Sequence, residues 1–218
     1  MNTLIIFAFL LLSYLLGSIP FGLLIGKTFK GIDIRSAGSK STGATNTMRL
    51  LGWRFGLLTL FLDSIKGIIV IVIVRYILND YYMIKLFNYN IEILGLYGIA
   101  AVLGHVFSIY IGFKGGKAVA TSYGILMILT PLTGLAATIV FALIVKFTKY
   151  VSLASIVTSL LVFVISLFGI FIKDVDYIRL VRIETLVTYM VLVSIIYIRH
   201  KANIERLQNG TENKINIK

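Results

Sequence analysis

Six apolar runs, each close to the length that crosses a lipid bilayer, constrain this chain more than any other feature. They cover residues 3–25, 55–78, 91–112, 119–147, 151–172 and 183–199. A hydrocarbon core about 30 Å thick is crossed by roughly 20 apolar residues of helix. Every backbone N–H and C=O must be paired inside that core, so runs of this kind fold as helices. The 218 residues are 58% hydrophobic and only 14% charged; a soluble domain carries roughly a quarter charged. No linker, low-complexity tract or repeat divides the chain, which reads as one polytopic membrane domain over 1–218. Asn2 to Ile25 lacks a basic leader, and Gly17-Ser-Ile-Pro-Phe-Gly22 is a poor cleavage site, so this run reads as a retained first span. Gly22 and Gly26 form a GxxxG notch suited to helix packing.

Charge assigns the sides. The net charge of +12 would raise nucleic acid as a partner for a soluble protein. Here the cations flank apolar runs, so they read as topology signals facing a bilayer, with no nucleic-acid partner. Lys27, Lys30, Arg35, Lys40, Arg49 and Arg54 face one acid, Asp33, in the loop after the first run. That loop is expected in the cytoplasm, with the N-terminus outside. The loop around 79–90, with Asp80 and Lys85, is balanced, as an outside loop can be. Thr130-Pro131 and Gly134 break the stretch 119–147, which is either one kinked span or two short helices in a hairpin. A single crossing puts Lys146, Lys149 and the basic tail (Arg199, Lys201, Arg206, Lys214, Lys218) outside. A hairpin returns them all to the cytoplasm and leaves the near-neutral loop of Lys173, Asp174, Asp176, Arg179, Arg182 and Glu184 outside. The expected fold is therefore an all-α, integral-membrane seven-helix bundle, N-terminus outside and C-terminus cytoplasmic. Helices four and five are expected to be short, roughly 12–14 residues or about 20 Å each.

Three glycine- and cation-rich stretches then fall on one side. The first, Gly38-Ser-Lys-Ser-Thr-Gly-Ala-Thr-Asn-Thr-Met-Arg49, offers Ser39, Gly43, Thr45 and Asn46 as small donors and Arg49 as a fork for phosphate oxygens; it also reads as a plain polar turn. The second, Lys114-Gly115-Gly116-Lys117, runs into a helix near Val119, where an anion meets a positive helix terminus; the bland reading is a topology-setting loop. Ala118 after Lys117 excludes a Walker A loop. In the third, His200, Asn203 and Arg206 share a face if helical, with Glu212 beyond. His200 reads as a donor, a proton carrier or a polar anchor, and Glu212 as a partner of Arg206 or a loop brace. Ser155 starts a span on the same side and reaches the pocket or simply packs.

Asp63 and Lys66 lie three apart on one face of the second run, as an internal ion pair or a proton path. His105 reads as a buried, hydrogen-bonded histidine about 14 Å by helical rise from Lys114. No cysteine and only two histidines leave no metal site, and no cofactor signature is present, so neither is expected. A G-x-S-x-G elbow is missing, and so is a His-x4-Asp acyltransferase box: Tyr110 follows His105 by five and Glu205 follows His200 by five.

In order and spacing these pieces resemble the bacterial acyl-phosphate:glycerol-3-phosphate acyltransferases of phospholipid synthesis, nearly end to end. The resemblance runs through Gly17-Ser-Ile-Pro-Phe-Gly22, Gly31-Ile-Asp-Ile-Arg35, Gly38-Ser39, Gly43-Ala-Thr-Asn46, Arg49, Phe61-Leu-Asp-Ser-Ile-Lys-Gly67 and Gly104-His105. It continues through Gly112-Phe-Lys-Gly-Gly-Lys-Ala-Val-Ala-Thr121, Tyr150-Val-Ser-Leu-Ala-Ser155, Arg199-His200 and Asn203 to Leu207. It implies transfer of a fatty acyl group from acyl phosphate to the 1-hydroxyl of sn-glycerol 3-phosphate, giving lysophosphatidic acid. It further implies seven helices in a bacterial inner membrane, a cytoplasmic active site, no cofactor, and an acyl-phosphate-producing enzyme as a partner. By the same resemblance Ser39, Arg49, Lys117, His200 and Asn203 are catalytic. Gly43, Thr45, Asn46, Lys114, Gly115, Gly116 and Ser155 bind substrate, and Asp63, Lys66, His105, Arg206 and Glu212 support. The substrate phosphate helps to take the hydroxyl proton. One departure stands out: the family usually has Gly-Asn where this chain has Lys40-Ser41. Two other classes fit the bare residues: an organic-phosphate transporter, although no inverted repeat is visible, and a membrane protein whose basic loops only bind anionic lipid.

Overall fold

The computed structural model of the chain describes residues 3–78, 83–86, 89–170 and 182–215. The helices are α1 (Thr3–Ser18), α2 (Phe21–Lys30), α3 (Ala44–Leu51), α4 (Trp53–Tyr76), α5 (Leu94–Val106), α6 (Val119–Leu129), α7 (Pro131–Thr148), α8 (Val151–Gly169), α9 (Ile183–Arg199) and α10 (Lys201–Gln208). Among the described residues five segments are long and apolar enough to cross a membrane: Thr3–Lys30, Trp53–Tyr76, Leu94–Ile111, Pro131–Thr148 and Val151–Gly169. The pair α9 and α10, bent by 58°, makes a sixth, and α6 is a shorter apolar helix.

The stretch 119–148 folds out and back. Tyr123 Oη lies 2.9 Å from Thr138 Oγ1, whereas fifteen residues along one continuous helix would separate them by about 22 Å. Pro131 sits at the start of α7, where its missing N–H costs no helical bond. The break therefore comes early. It leaves 11 residues to α6 and 18 to α7, so the expectation that both helices are short holds for α6 and is corrected for α7.

Two further corrections concern residues 83–112. Ile91 and Glu92 do not open a helix: they belong to strand β2 (Tyr89–Glu92), paired antiparallel with β1 (Met83–Leu86) in the register Met83↔Glu92. The polar–apolar alternation Tyr89-Asn-Ile-Glu92 suits a strand's period of two, so the fold is not purely α. At the other end α5 stops at Val106 and the chain passes through a 3-10 turn, Ile109–Ile111. The Gly116 N–H then donates to His105 O at 3.0 Å, which places the 115–116 loop against His105 instead of a helix length away. Near the ribbon, Arg182 pairs with Glu92 at 3.2 Å. Asp80, the loop residues Lys173, Asp174, Asp176 and Arg179, and Lys218 lie outside the described residues.

Asp63 and Lys66 on α4 form an internal ion pair, Nζ to Oδ1 at 2.7 Å. They are 1% and 4% exposed. Lys66 also donates to Ile19 O at 2.8 Å, in the gap where Pro20 separates α1 from α2. The Ile19 carbonyl also accepts from the Phe21 N–H at 3.1 Å, so the lysine adds a second bond at the break while the aspartate balances its charge. Gly22 and Gly26 pack on the polar loop that follows, against Thr42, Thr47, Ile32 and Ile34.

The apolar core joins α4, α5, α6 and α9 through Val70, Val74, Leu94, Tyr97, Val102, Ile125, Leu192 and Ile196. On one flank of it α4 and α6 touch backbone to backbone: a Cβ at Gly124 would overlap the Ser64 carbonyl, and one at Gly67 the Thr121 carbonyl. Small residues permit this approach between membrane helices, and it draws the N-terminal end of α6 beside Asp63. Gly124→Ala is expected to lose about 1–3 kcal/mol through forced separation of the two helices. A thermal melt in detergent reads this as a lowered midpoint; an unchanged midpoint refutes it.

Candidate active site

The three polar stretches line one cavity of about 830 Å³, counted with its open mouth. Ser39, Ser41, Gly43, Thr45, Asn46 and Arg49 come from the first, Lys117 from the second, and His200, Asn203, Glu212 and Asn213 from the third. Asp63, His105, Ser152 and Ser155 complete its polar wall.

The first stretch is shaped around Asn46, which is 1% exposed. Its Oδ1 accepts from the Ser39 N–H at 2.9 Å, and its Nδ2 donates to Ile34 O at 2.7 Å and Ser41 O at 3.0 Å. Both amide hydrogens are thereby committed, so Asn46 builds the loop rather than offering donors to a ligand. Ahead of it, Asp33 accepts a two-point contact from the Arg35 guanidinium. Lys40 adopts φ +54°, the left-handed conformation that a glycine takes without strain. Lysine in the family's glycine position therefore keeps the turn.

The second stretch departs from the expectation. The Gly115 and Gly116 N–H groups donate to Val106 O and His105 O, each at 3.0 Å, so they are not aimed at an anion. A Cβ on Gly115 would overlap the His105 carbonyl, and one on Gly116 the imidazole. These glycines serve close packing against His105. Lys114, Gly115 and Gly116 do not line the cavity, whereas Ala118, Val119 and Ala120 at the start of α6 do. No side chain caps α6, so the positive end of its dipole faces the cavity. His105 Nδ1 lies 3.7 Å from Asp63 Oδ1, longer than a hydrogen bond.

The third stretch ties the site together. Lys117 Nζ donates to Asn203 Oδ1 at 2.5 Å, and Asn203 Nδ2 donates to Glu212 Oε1 at 2.7 Å. Ser152 Oγ donates to the same oxygen at 3.0 Å, and Arg206 Nε to Oε2 at 2.7 Å. Burial opposes the Glu212 charge, but these bonds outweigh it and hold the carboxyl below its ordinary pKa. Burial pushes the Lys117 ammonium down to about 8; Glu212 opposes that, while Arg206, Arg199 and Arg49 add to it. His200 Nδ1 lies 2.8 Å from Ile196 O. A carbonyl only accepts, so Nδ1 carries the proton and a neutral ring has Nε2 as its acceptor.

A second cavity of about 890 Å³ shares Leu60, Val119, Ala120, Phe141 and Ser155 with the first. It runs on past Leu126, Val162, Leu192 and Ile196. Its walls are almost wholly apolar. Sequence reasoning missed Ser152, although it lies three before Ser155 on one helical face. It also counted Arg199 only as a topology charge; the structure brings Arg199 onto the 115–116 loop.

Cations and a helix terminus at the head of an apolar cavity, in a bundle of bilayer-length helices, mark an integral membrane protein with a chamber of two polarities. Known proteins make the class specific. The family profile described as glycerol-3-phosphate acyltransferase matches residues 7–210. A glycerol-3-phosphate acyltransferase of Acholeplasma laidlawii is 45% identical, over 94% of this chain and 91% of its own. One of Fusobacterium nucleatum is 42% identical, over 95% and 97%. Among solved structures, the chain resembles PlsY, an integral membrane glycerol 3-phosphate acyltransferase, in its glycerol 3-phosphate form. The TM-score is 0.81 at 35% identity, covering 97% of this chain and 96% of that one. The lysophosphatidic acid form matches with a TM-score of 0.79 at 34% identity. The chain belongs to the glycerol-3-phosphate acyltransferase family.

Anion binding to this cavity favours the charged form of Lys117. Because the free ammonium titrates near 8, the affinity for a phosphate ligand is expected to fall as pH rises through that value, by about tenfold between about pH 7 and about pH 9. Titrating glycerol 3-phosphate binding by calorimetry in two buffers of different ionisation heat also reads the accompanying proton uptake. A flat profile with no proton uptake contradicts the placement of the ligand on Lys117.

Proposed function

We propose that the chain transfers a fatty acyl group from acyl phosphate to the 1-hydroxyl of sn-glycerol 3-phosphate, releasing phosphate and 1-acyl-sn-glycerol 3-phosphate. The observation that carries this reading is the join between the two cavities. A cation-lined chamber suits two phosphoryl groups, and the apolar cavity opening from it suits a hydrocarbon chain. The reacting carbonyl then sits at the shared rim, beside Ser155, Val119 and Ala120.

Arg49 and Lys117 hold phosphate, with the N-terminus of α6 adding its dipole. The Ser39 loop borders the donor, and His200 and Asn203 orient the acceptor. Lys114, Gly115 and Gly116 lie behind the wall and support Lys117, and Asn46 shapes the Ser39 loop. Gly43 and Thr45 border the phosphate. Asp63, Lys66, His105, Arg206 and Glu212 support the arrangement.

The acceptor hydroxyl oxygen attacks the acyl carbonyl carbon, and the bond from that carbon to the phosphate oxygen breaks. The hydroxyl proton passes to a substrate phosphate oxygen, so no protein base is consumed. Acyl phosphate is already activated; holding both substrates in attack geometry supplies much of the rate, and the cations stabilise the departing phosphate.

We place this single domain in a bacterial cell membrane with α6 counted as one of seven crossings, the N-terminus outside and the cavity open to the cytoplasm. An enzyme that makes acyl phosphate supplies the donor. The concentration of Lys and Arg in the segments that border the cavity supports this orientation.

Purified protein given synthetic acyl phosphate and labelled glycerol 3-phosphate is expected to form lysophosphatidic acid. Arg49→Ala and Lys117→Ala are each expected to reduce turnover at least a hundredfold while the melting midpoint is retained; near-normal turnover in both sinks the assignment. Because the chain has no cysteine, Lys146→Cys gives a single reporter of sidedness. An impermeant thiol reagent is expected to reach it in inverted vesicles only, and labelling in intact cells overturns the orientation.

A further inference from the structure

Arg199 is the last residue of α9 and a natural candidate for a cation reaching toward lipid headgroups. It turns instead to the 115–116 loop. Its Nε donates to Gly116 O and its Nη2 to Gly115 O, both at 3.2 Å. The opposite edge of the same dipeptide is held by the Val106 and His105 carbonyls. The next residue, Lys117, has its ammonium on Asn203, four residues and about one helical turn beyond Arg199. One corner of the chain, where α9 bends into α10, thus grips the loop twice, by backbone through Arg199 and by side chain through Asn203.

We propose that Arg199 is a positioning residue for substrate phosphate, setting where Lys117 stands by clamping the two peptide carbonyls that precede it. Arg199 is not among the residues that line the cavity, so it acts through Lys117. The geometry suits an arginine: two nitrogens of one planar fork reach two successive carbonyls, a fixed spacing that the single nitrogen of a lysine does not reproduce. Satisfying both carbonyls also completes the hydrogen bonding of a loop whose N–H groups already face inward, leaving Lys117 as its projecting group. The proposal rests on the reading of Lys117 as a phosphate ligand.

Arg199 acts by charge as well as by contact. The charged groups facing Lys117 are Glu212 on the tail, Arg206 on α10, Arg199 on α9 and Arg49 on α3, with His200 beside them in the cavity wall. Removing the Arg199 charge relieves repulsion on the ammonium and lets it stay protonated to higher pH. Position and charge therefore predict separable effects.

The test is steady-state kinetics of the full chain in detergent or vesicles, with glycerol 3-phosphate varied across pH, for Arg199→Gln and Arg199→Lys. Arg199→Gln is expected to raise the KM for glycerol 3-phosphate about tenfold or more, with a smaller change in kcat, and to move the alkaline limb of kcat/KM upward. Arg199→Lys keeps the charge but not the fork. It is expected to raise KM similarly while leaving the alkaline limb where the parent has it. Unchanged KM in both variants overturns the proposal. So does a loss of kcat and melting temperature with KM and the alkaline limb unmoved, the signature of a merely structural contact. Lys117→Ala run in parallel separates the two levels. An unaffected KM there removes the underlying reading together with this one; a crippled Lys117→Ala beside normal Arg199 variants overturns the positioning role alone.

Discussion

Glu212 is the interaction on which the site depends. The polar chamber gathers Arg49, Lys117 and the α6 terminus, with Arg206 behind them, and like charges in a partly desolvated space repel. One carboxylate answers them, accepting from Ser152 on α8 and from Asn203 and Arg206 on α10, and reaching Lys117 through Asn203. Hydrogen bonds to a charged group are worth roughly 1.5–3 kcal/mol each, enough to hold an otherwise polar tail against a membrane bundle. The tail is anchored just beyond: the Ile215 N–H donates to Lys149 O at 2.9 Å, its side chain is buried, and Lys214 stands over the Tyr150 ring. A short extramembrane segment is thereby made part of the wall of a membrane site.

The glycines and amides of the polar stretches divide into two tasks that composition does not separate. Gly115 and Gly116 look like an anion nest, yet their N–H groups hold the backbone of α5 and their missing Cβ atoms admit His105. Asn46 looks like a substrate donor, yet it ties Ile34, Ser39 and Ser41 into one loop. Besides Asn46, the groups that line the chamber include the cations Arg49 and Lys117, the α6 terminus, His200, Ser39 and Thr45. What the chamber presents is side-chain charge more than a cradle of backbone amides.

The same economy governs the buried ion pair of α4. Lys66 donates to the Ile19 carbonyl, which the Phe21 N–H also reaches, and Asp63 neutralises the lysine while bordering the chamber. The break lies within one apolar run, Thr3–Lys30, and is held from inside the bundle. The chamber and the apolar cavity meet at residues from α4, α6, α7 and α8, so one wall carries two polarities.

Sequence by itself determined the helical membrane class, the positions of the long runs, the break near Pro131 and the polar stretches that line the chamber. Those signals are local: hydropathy accumulates along one run, and proline and glycine act on their own backbone. It misjudged α7, because the proline marks where a helix begins and says nothing of how far the next one continues. It also read Ile91 and Glu92 as the start of a helix, because two residues beside an apolar run read equally as strand or helix until a partner strand is present. Only tertiary structure decided which polar groups remain for a ligand. That choice depends on partners far apart in the chain, Lys117 with Asn203, Gly116 with His105 and Arg199, and Ser152 with Glu212. A donor's availability is settled by what faces it in space, and no one-dimensional pattern carries that information.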